Sequence, residues 1–262
     1  MRFTIVIPTY NERDFIEACL QSVQNQAYER TDFEIILSDS NSTDGTINVG
    51  RNYVDKIVRS DRRGIAHGRN QGAHEASGEI LVFLDADVVL GPGYLRTIDR
   101  LFQDSQVVGV AVRALPTGGS WFARFIYHGT YLLVGVFNAF GLALFPGVCV
   151  AYRRESFVQV GGFREDFGIT EDLDLSRRIS ELGLCKFETR PKAFVSTRRL
   201  HKHALSTVLF HIYHDLRYLL TGRTASTYPK AEEITSAMDL WRLNKPEQKR
   251  EDNSAGGDKE IR

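Results

Sequence analysis

The chain predicts an α/β fold, a mostly parallel sheet flanked by helices, and three observations predict it. Strand signals alternate with helical ones through the first half, as in consecutive βα units. The run Ile80–Leu84 is continuously apolar with β-branched and aromatic members, the pattern of a strand buried on both faces. That run ends in Asp85-Ala86-Asp87, two carboxylates at the strand end where ligands of such sheets sit.

Phe3 to Ile7 reads as the first strand rather than a leader, because its apolar run is short and stops at Pro8. Asp14 to Gln26 follows as a helix, with Ile16, Cys19, Leu20 and Val23 on one face. Phe33 to Ser38 is a strand ending at Asp39, and the loop 40–46 supplies turn formers and capping side chains for the next helix. Lys56 to Arg59 makes a short strand and Ile65 to Ser77 a helix leading into the Asp85 strand. A helix from Pro92 to about Gln103 and a strand at Val107 to Arg113 come next.

The pattern then breaks. Phe125 to Tyr152 runs for 28 residues without Asp, Glu, Lys or Arg. Its end, Phe145 to Tyr152, reads as a strand entered through Pro146-Gly147. The segment from Trp121 to Leu144 is apolar enough to meet a bilayer. Gly161-Gly162-Phe163 makes a turn, and Asp172 to Leu182 a helix with an acidic first turn. The last helix, Ala204 to Leu220, is amphipathic, with Leu205, Val208, Leu209, Ile212, Leu216, Leu219 and Leu220 on one side.

Lys plus Arg equal Asp plus Glu at 33 each, which argues against a nucleic-acid partner. Cys19, Cys149 and Cys185 lack metal-ligand spacing and read as reduced core residues of a cytoplasmic protein. Two buried carboxylates need a partner, and a divalent cation such as Mg²⁺ or Mn²⁺ with a diphosphate fits Asp85 and Asp87 best. The bland alternative is that both acids cap the following turn. Glu12 and Asp39 end neighbouring strands, and a parallel sheet brings them to the same edge.

Several motifs together resemble the inverting, metal-dependent glycosyltransferases of family 2, with the GT-A fold. Val6-Ile7-Pro8-Thr9-Tyr10-Asn11-Glu12 looks like the family's opening strand and nucleotide-contacting loop. Ile36 to Thr46 is similar to its VDDGSTDGT motif, with Ser40 in place of the second acid and Asn41 in place of the glycine. Gly68-Arg69-Asn70-Gln71-Gly72 resembles the segment before the family's DXD, and Asp85-Ala86-Asp87 the DXD itself. Gly161-Gly162-Phe163 with Thr170-Glu171-Asp172 looks like the acceptor-side motif. The resemblance covers about residues 3 to 190.

The resemblance implies a donor site at Pro8, Tyr10, Glu12, Asp39, Arg69, Asn70, Asp85 and Ala86, with Asp39 on the nucleobase. It implies Mg²⁺ or Mn²⁺ on Asp87 and Asp85, and catalysis by Asp172 with Glu171, where Asp172 is the general base. Helix capping is the ordinary alternative for Asp172. Asp174 and Arg177 read as surface or supporting charges. The donor would be a UDP or GDP sugar.

Both halves of such a site must lie on one side of a membrane, so the uncharged segment cannot be a single span. An interfacial or re-entrant helix pair, or a packed lid, remains. Gly147, Arg198 and Arg199 are candidate acceptor or phosphate contacts, the last two in a basic run before the final helix. These features suggest a peripheral enzyme on the inner face of the cell membrane and a polyprenyl-phosphate, other lipid-linked or glycan acceptor. The expected organisation is a donor half at 1–115, an acceptor half at 116–200 with the apolar segment 121–144, an amphipathic helix at 201–228 and a polar, mobile tail at 229–262. The rival readings are a sugar-phosphate nucleotidyltransferase and a catalytically silent sugar-nucleotide-binding protein at a membrane.

Overall fold

The computed structural model describes residues 1–60, 62–118, 121–196 and 204–224. Strands β1 (Phe3–Thr9), β2 (Phe33–Asp39), β3 (Lys56–Arg59) and β4 (Ile80–Leu84) form where the sequence predicts them. They pair in the order β3-β2-β1-β4, all parallel. The side chains of β1 alternate between two cores, as a period of two requires. Phe3, Ile5 and Ile7 pack with Ile16, Cys19, Leu20 and Val23 of α1 (Arg13–Gln24). Val6 turns to the other face, under α3 (Ile65–His74), where a Cβ at Gly72 would overlap it.

The second half departs from a parallel sheet. β6 (Val107–Thr117) follows α4 (Tyr94–Phe102), and β7 (Cys149–Arg153) lies antiparallel between β4 and β6. β8 (Leu184–Ser196) runs parallel to β6, and β5 (Val88–Leu90) closes the edge antiparallel to β8. The eight-stranded order is β3-β2-β1-β4-β7-β6-β8-β5. β4 is buried along its whole length as expected, yet one of its neighbours is antiparallel, because an apolar run reports burial and not direction.

Antiparallel β7 starts where β4 ends, with Leu84 opposite Cys149. The loop before β7 therefore arrives at the edge that carries Asp85, and the Asp85 amide donates to the Val148 carbonyl. Two short helices, α2 (Thr46–Gly50) and α6 (Arg154–Gln159), complete the frame, and α7 (Glu171–Ser180) starts at the same edge. All three cysteines are free thiols.

The uncharged segment forms one helix, α5 (Trp121–Ala139), and not a helix pair. Tyr131, Val134, Gly135 and Asn138 face the sheet at helical spacing: Tyr131 stacks on Phe187, and Asn138 exchanges hydrogen bonds with the Cys185 carbonyl and the Phe187 amide. Trp121, Phe125, Leu132, Leu133, Val136 and Phe137 point outward. No helix among the described residues is long and apolar enough to cross a membrane.

The last helix, α8 (Ala204–Thr221), packs through Phe210, His214 and Tyr218. Of its apolar side, Ile212, Leu216, Leu219 and Leu220 are exposed. Three rings at i, i+4 and i+8, two of them with a polar atom, fill the inward face.

Candidate active site

The residues expected to hold the donor lie beyond the ends of β1, β2 and β4, whose register sets Thr9 opposite Asp39. Asp39 is fully buried and accepts from Thr9 Oγ1 (3.0 Å), the Ser42 amide (2.8 Å) and Ser42 Oγ (2.6 Å). It floors a groove of about 480 Å³ that Asn41, Ser42, Thr43, Arg59 and Ser60 also line. Asn41 sits at φ +64°, in the left-handed region that the usual glycine adopts freely and Asn tolerates. Beside the groove the Arg63 guanidinium lies 4.4 Å from the Tyr10 ring centroid.

Glu12 begins α1: its carbonyl accepts the Phe15 and Ile16 amides and its own amide donates to Thr46 Oγ1. Pro8 packs against Gly68 of α3, where a Cβ would stand 3.4 Å from the proline. Ala86 is buried between the two acids of the strand end.

Arg69 and Asn70, expected as donor contacts, have these protein partners. Asn70 holds the turn after α6, donating to the Phe163 carbonyl and Glu165 and accepting the Phe163 amide. Arg69 is only 2% exposed. It donates through Nη2 to Asp85 Oδ1 (3.0 Å) and the Gly147 carbonyl (2.9 Å), and through Nη1 to Glu171 Oε1 (3.0 Å). The partner that Asp85 needed is therefore, in part, an arginine of the preceding helix, a contact that no local spacing announces.

Among the residues expected on the acceptor side, the Gly147 amide donates to Asp172 Oδ2 at 2.5 Å. A Cβ at Gly147 would come within 3.0 Å of both Arg69 and Asp172, so any larger residue must displace the guanidinium or the Asp172 side chain. Thr170 precedes the pair at φ +67°, a strained position for a β-branched residue that costs on the order of 1–3 kcal/mol. Burial, with the charge of Asp172, pushes Glu171 up to about 8 against the pull of Arg69.

Asp174 is buried, which corrects its reading as a surface charge. It pairs with Arg178 at 2.6 Å and Arg164 at 3.3 Å and accepts the Tyr218 hydroxyl. Through that bond α8 docks on α7. Asp215, one turn before Tyr218, is pushed up to about 7 by burial and the charge of Asp172. Sequence reasoning missed Asp215 and Tyr218, since an amphipathic pattern hides polar residues on the inward face. Arg198 and Arg199 lie outside the described residues.

The family model for glycosyl transferase family 2 matches residues 4–161, which hold β1 through the start of the acceptor side. The chain belongs to glycosyl transferase family 2. It is similar to the GalNAc(5)-diNAcBac-PP-undecaprenol beta-1,3-glucosyltransferase of Campylobacter jejuni, 36% identical over 104 residues, 37% of this chain and 33% of that one. The chain spans about a third or less of the length of most of the curated relatives it matches. Among solved structures it is similar to mannosyltransferase PcManGT from Pyrobaculum calidifontis in complex with GDP-Man and Mn²⁺ (TM-score 0.67, 24% identity, 92% of this chain and 73% of that one). It is also similar to S. aureus TarS 1-349 in complex with UDP-GlcNAc (TM-score 0.63, 19% identity, 76% and 59%). At these identities the likeness is one of fold, and it bears out the GT-A arrangement.

Proposed function

We propose that this family 2 chain moves a sugar from a UDP or GDP sugar to an acceptor, with inversion and with a divalent cation. One observation carries the reading: Asp85 of the donor side and Glu171 and Asp172 of the acceptor side converge on one buried arginine and one glycine. The Asp39 groove would take the nucleobase, with Tyr10 and Arg63 beside it. Nucleotide-sugar complexes of the similar folds support a donor of this class.

No group of three ligating side chains forms among the described residues. A nucleotide-bound Mg²⁺ or Mn²⁺ needs only one or two carboxylates, so Asp85 and Asp87 fit it. When bound, such a cation would stabilise charge on the leaving diphosphate. Asp172, oriented by the Gly147 amide, would accept the proton of an attacking hydroxyl, and Arg69 would keep Glu171 against it. An acceptor that is already ionised, such as a phosphate monoester, would need Asp172 only for orientation.

The outward faces of α5 and α8 support peripheral attachment to a membrane, with Trp121 78%, Leu132 69% and Leu220 83% exposed. An acceptor with a lipid-linked head fits this placement, as does a location on the inner face of the cell membrane. In this reading 1–115 is the donor half, 116–200 the acceptor half and 201–228 the region of the membrane-facing helix; the tail expected at 229–262 lies outside the described residues. The test is release of UDP or GDP from a panel of nucleotide sugars with Mn²⁺, with and without acceptor, for wild type and Asp172→Asn. Metal-dependent release that the substitution lowers at least a hundredfold supports a hydroxyl acceptor with Asp172 as base. Near-full activity of the variant would sink that assignment, and no release with any donor would sink the transferase.

A further inference from the structure

We propose that Arg69 is a positioning residue that sets the gap between the donor-side acid Asp85 and the acceptor-side pair Glu171-Asp172, and is not a ligand of the donor. The inference rests on the sugar-transfer reading of this edge.

The guanidinium is planar and offers five N–H donors in a fixed fork, so its partners are held at set angles. Here the fork joins three separate segments: the end of β4 through Asp85, the loop before β7 through the Gly147 carbonyl, and the start of α7 through Glu171. The Phe163 ring closes one side, its centroid 5.2 Å from the guanidinium carbon. Buried Nε makes no hydrogen bond, so the head is held by its two terminal nitrogens alone. With 2% of the side chain exposed, no atom of the head is presented to a nucleotide in the groove at Asp39.

A buried ion pair of this kind adds little stability over a well-packed apolar replacement, whereas it does specify geometry. Gly147 shares the arrangement, since its carbonyl meets Arg69 and its amide meets Asp172. Moving the guanidinium therefore moves the loop that aims the proposed base. Asn70, the next residue on α3, fixes the Phe163 turn in the same way, so this stretch of helix works as a strut.

Arg69→Lys keeps the charge and removes the fork; Arg69→Met removes both. Affinity for Mn²⁺ with UDP, and for Mn²⁺ with GDP, is read by calorimetry on the full chain, and donor turnover by nucleotide release. The expected split is an affinity within threefold of wild type for whichever nucleotide binds, with turnover down at least thirtyfold in Arg69→Lys and further in Arg69→Met. Gly147→Ala presses on the same fork without changing charge and gives the same split, which covers a methionine variant that does not fold. A tenfold loss of nucleotide affinity at unchanged turnover overturns the proposal, as does wild-type turnover in Arg69→Lys. A wild type that binds nucleotide but turns over no donor defeats the transferase reading alone, and the affinity arm still decides whether Arg69 is a donor ligand.

Discussion

The Tyr218 hydroxyl donates to Asp174 Oδ1 at 3.0 Å, joining the last described helix to the helix that begins with Glu171 and Asp172. Phe167 packs edge-on against the same tyrosine ring. Tyr218→Phe removes the bond and leaves the ring, at a cost of about 1 kcal/mol. Chemical denaturation is expected to show that loss. Limited proteolysis is expected to cut α8 first in the variant, and equal cutting rates would show that the bond does not hold the helix.

Glu171 gives stability a pH dependence of definite sign. Its folded value, about 8, lies above its ordinary 4.5, so between those pH values the native state keeps a proton that the unfolded chain has lost. Stability from this group is complete below pH 4.5 and declines as pH rises toward 8. Glu171→Gln removes the decline: melting curves from pH 5 to 8 should show the variant gaining on wild type as pH rises. Asp215, raised from 3.8 to about 7, contributes with the same sign over pH 4 to 7.

Asp39 accepts three hydrogen bonds, one of them from a backbone amide. Asp39→Asn keeps the shape, but its single acceptor oxygen cannot serve the Ser42 amide and Thr9 together as a carboxylate does. A stability loss of roughly 1–2 kcal/mol and at least tenfold weaker binding of the preferred nucleoside diphosphate are expected. Unchanged affinity in calorimetry would remove Asp39 from the nucleobase site.

Leu132 and Leu133 of α5 and Leu220 of α8 are exposed apolar side chains. Replacing Leu132, Leu133 and Leu220 with Ser should leave the melting temperature unchanged and abolish flotation with anionic liposomes. Flotation that survives the triple change, or a wild type that stays in the soluble fraction, counts against membrane attachment.

The first four strands were legible because each is a short apolar run between turn formers, and β3 falls on the residues the pattern marks. The three-residue strand β5 continues the run past Asp87, and only its distant partner β8 makes it a strand. β8 itself carries Lys186, Glu188, Arg190 and Pro191, and its register jumps between Glu188 and Ala193, so no alternation shows. The acids of the site stood out because strand ends and helix starts are local features. Their shared counterion did not, since Arg69 meets Glu171 across 102 positions of sequence.

β7 has a mechanical consequence. It is laddered to β4 on one side and to β6 on the other, so the parallel strands of the first half and the strands β6, β8 and β5 are stitched into a single sheet. A clam-like opening between them would have to break the five residue pairings from Ile80–Arg153 to Leu84–Cys149. On the proposed sugar-transfer reading, substrate and product therefore enter and leave over the rim of the sheet edge and not through a parting of its strands.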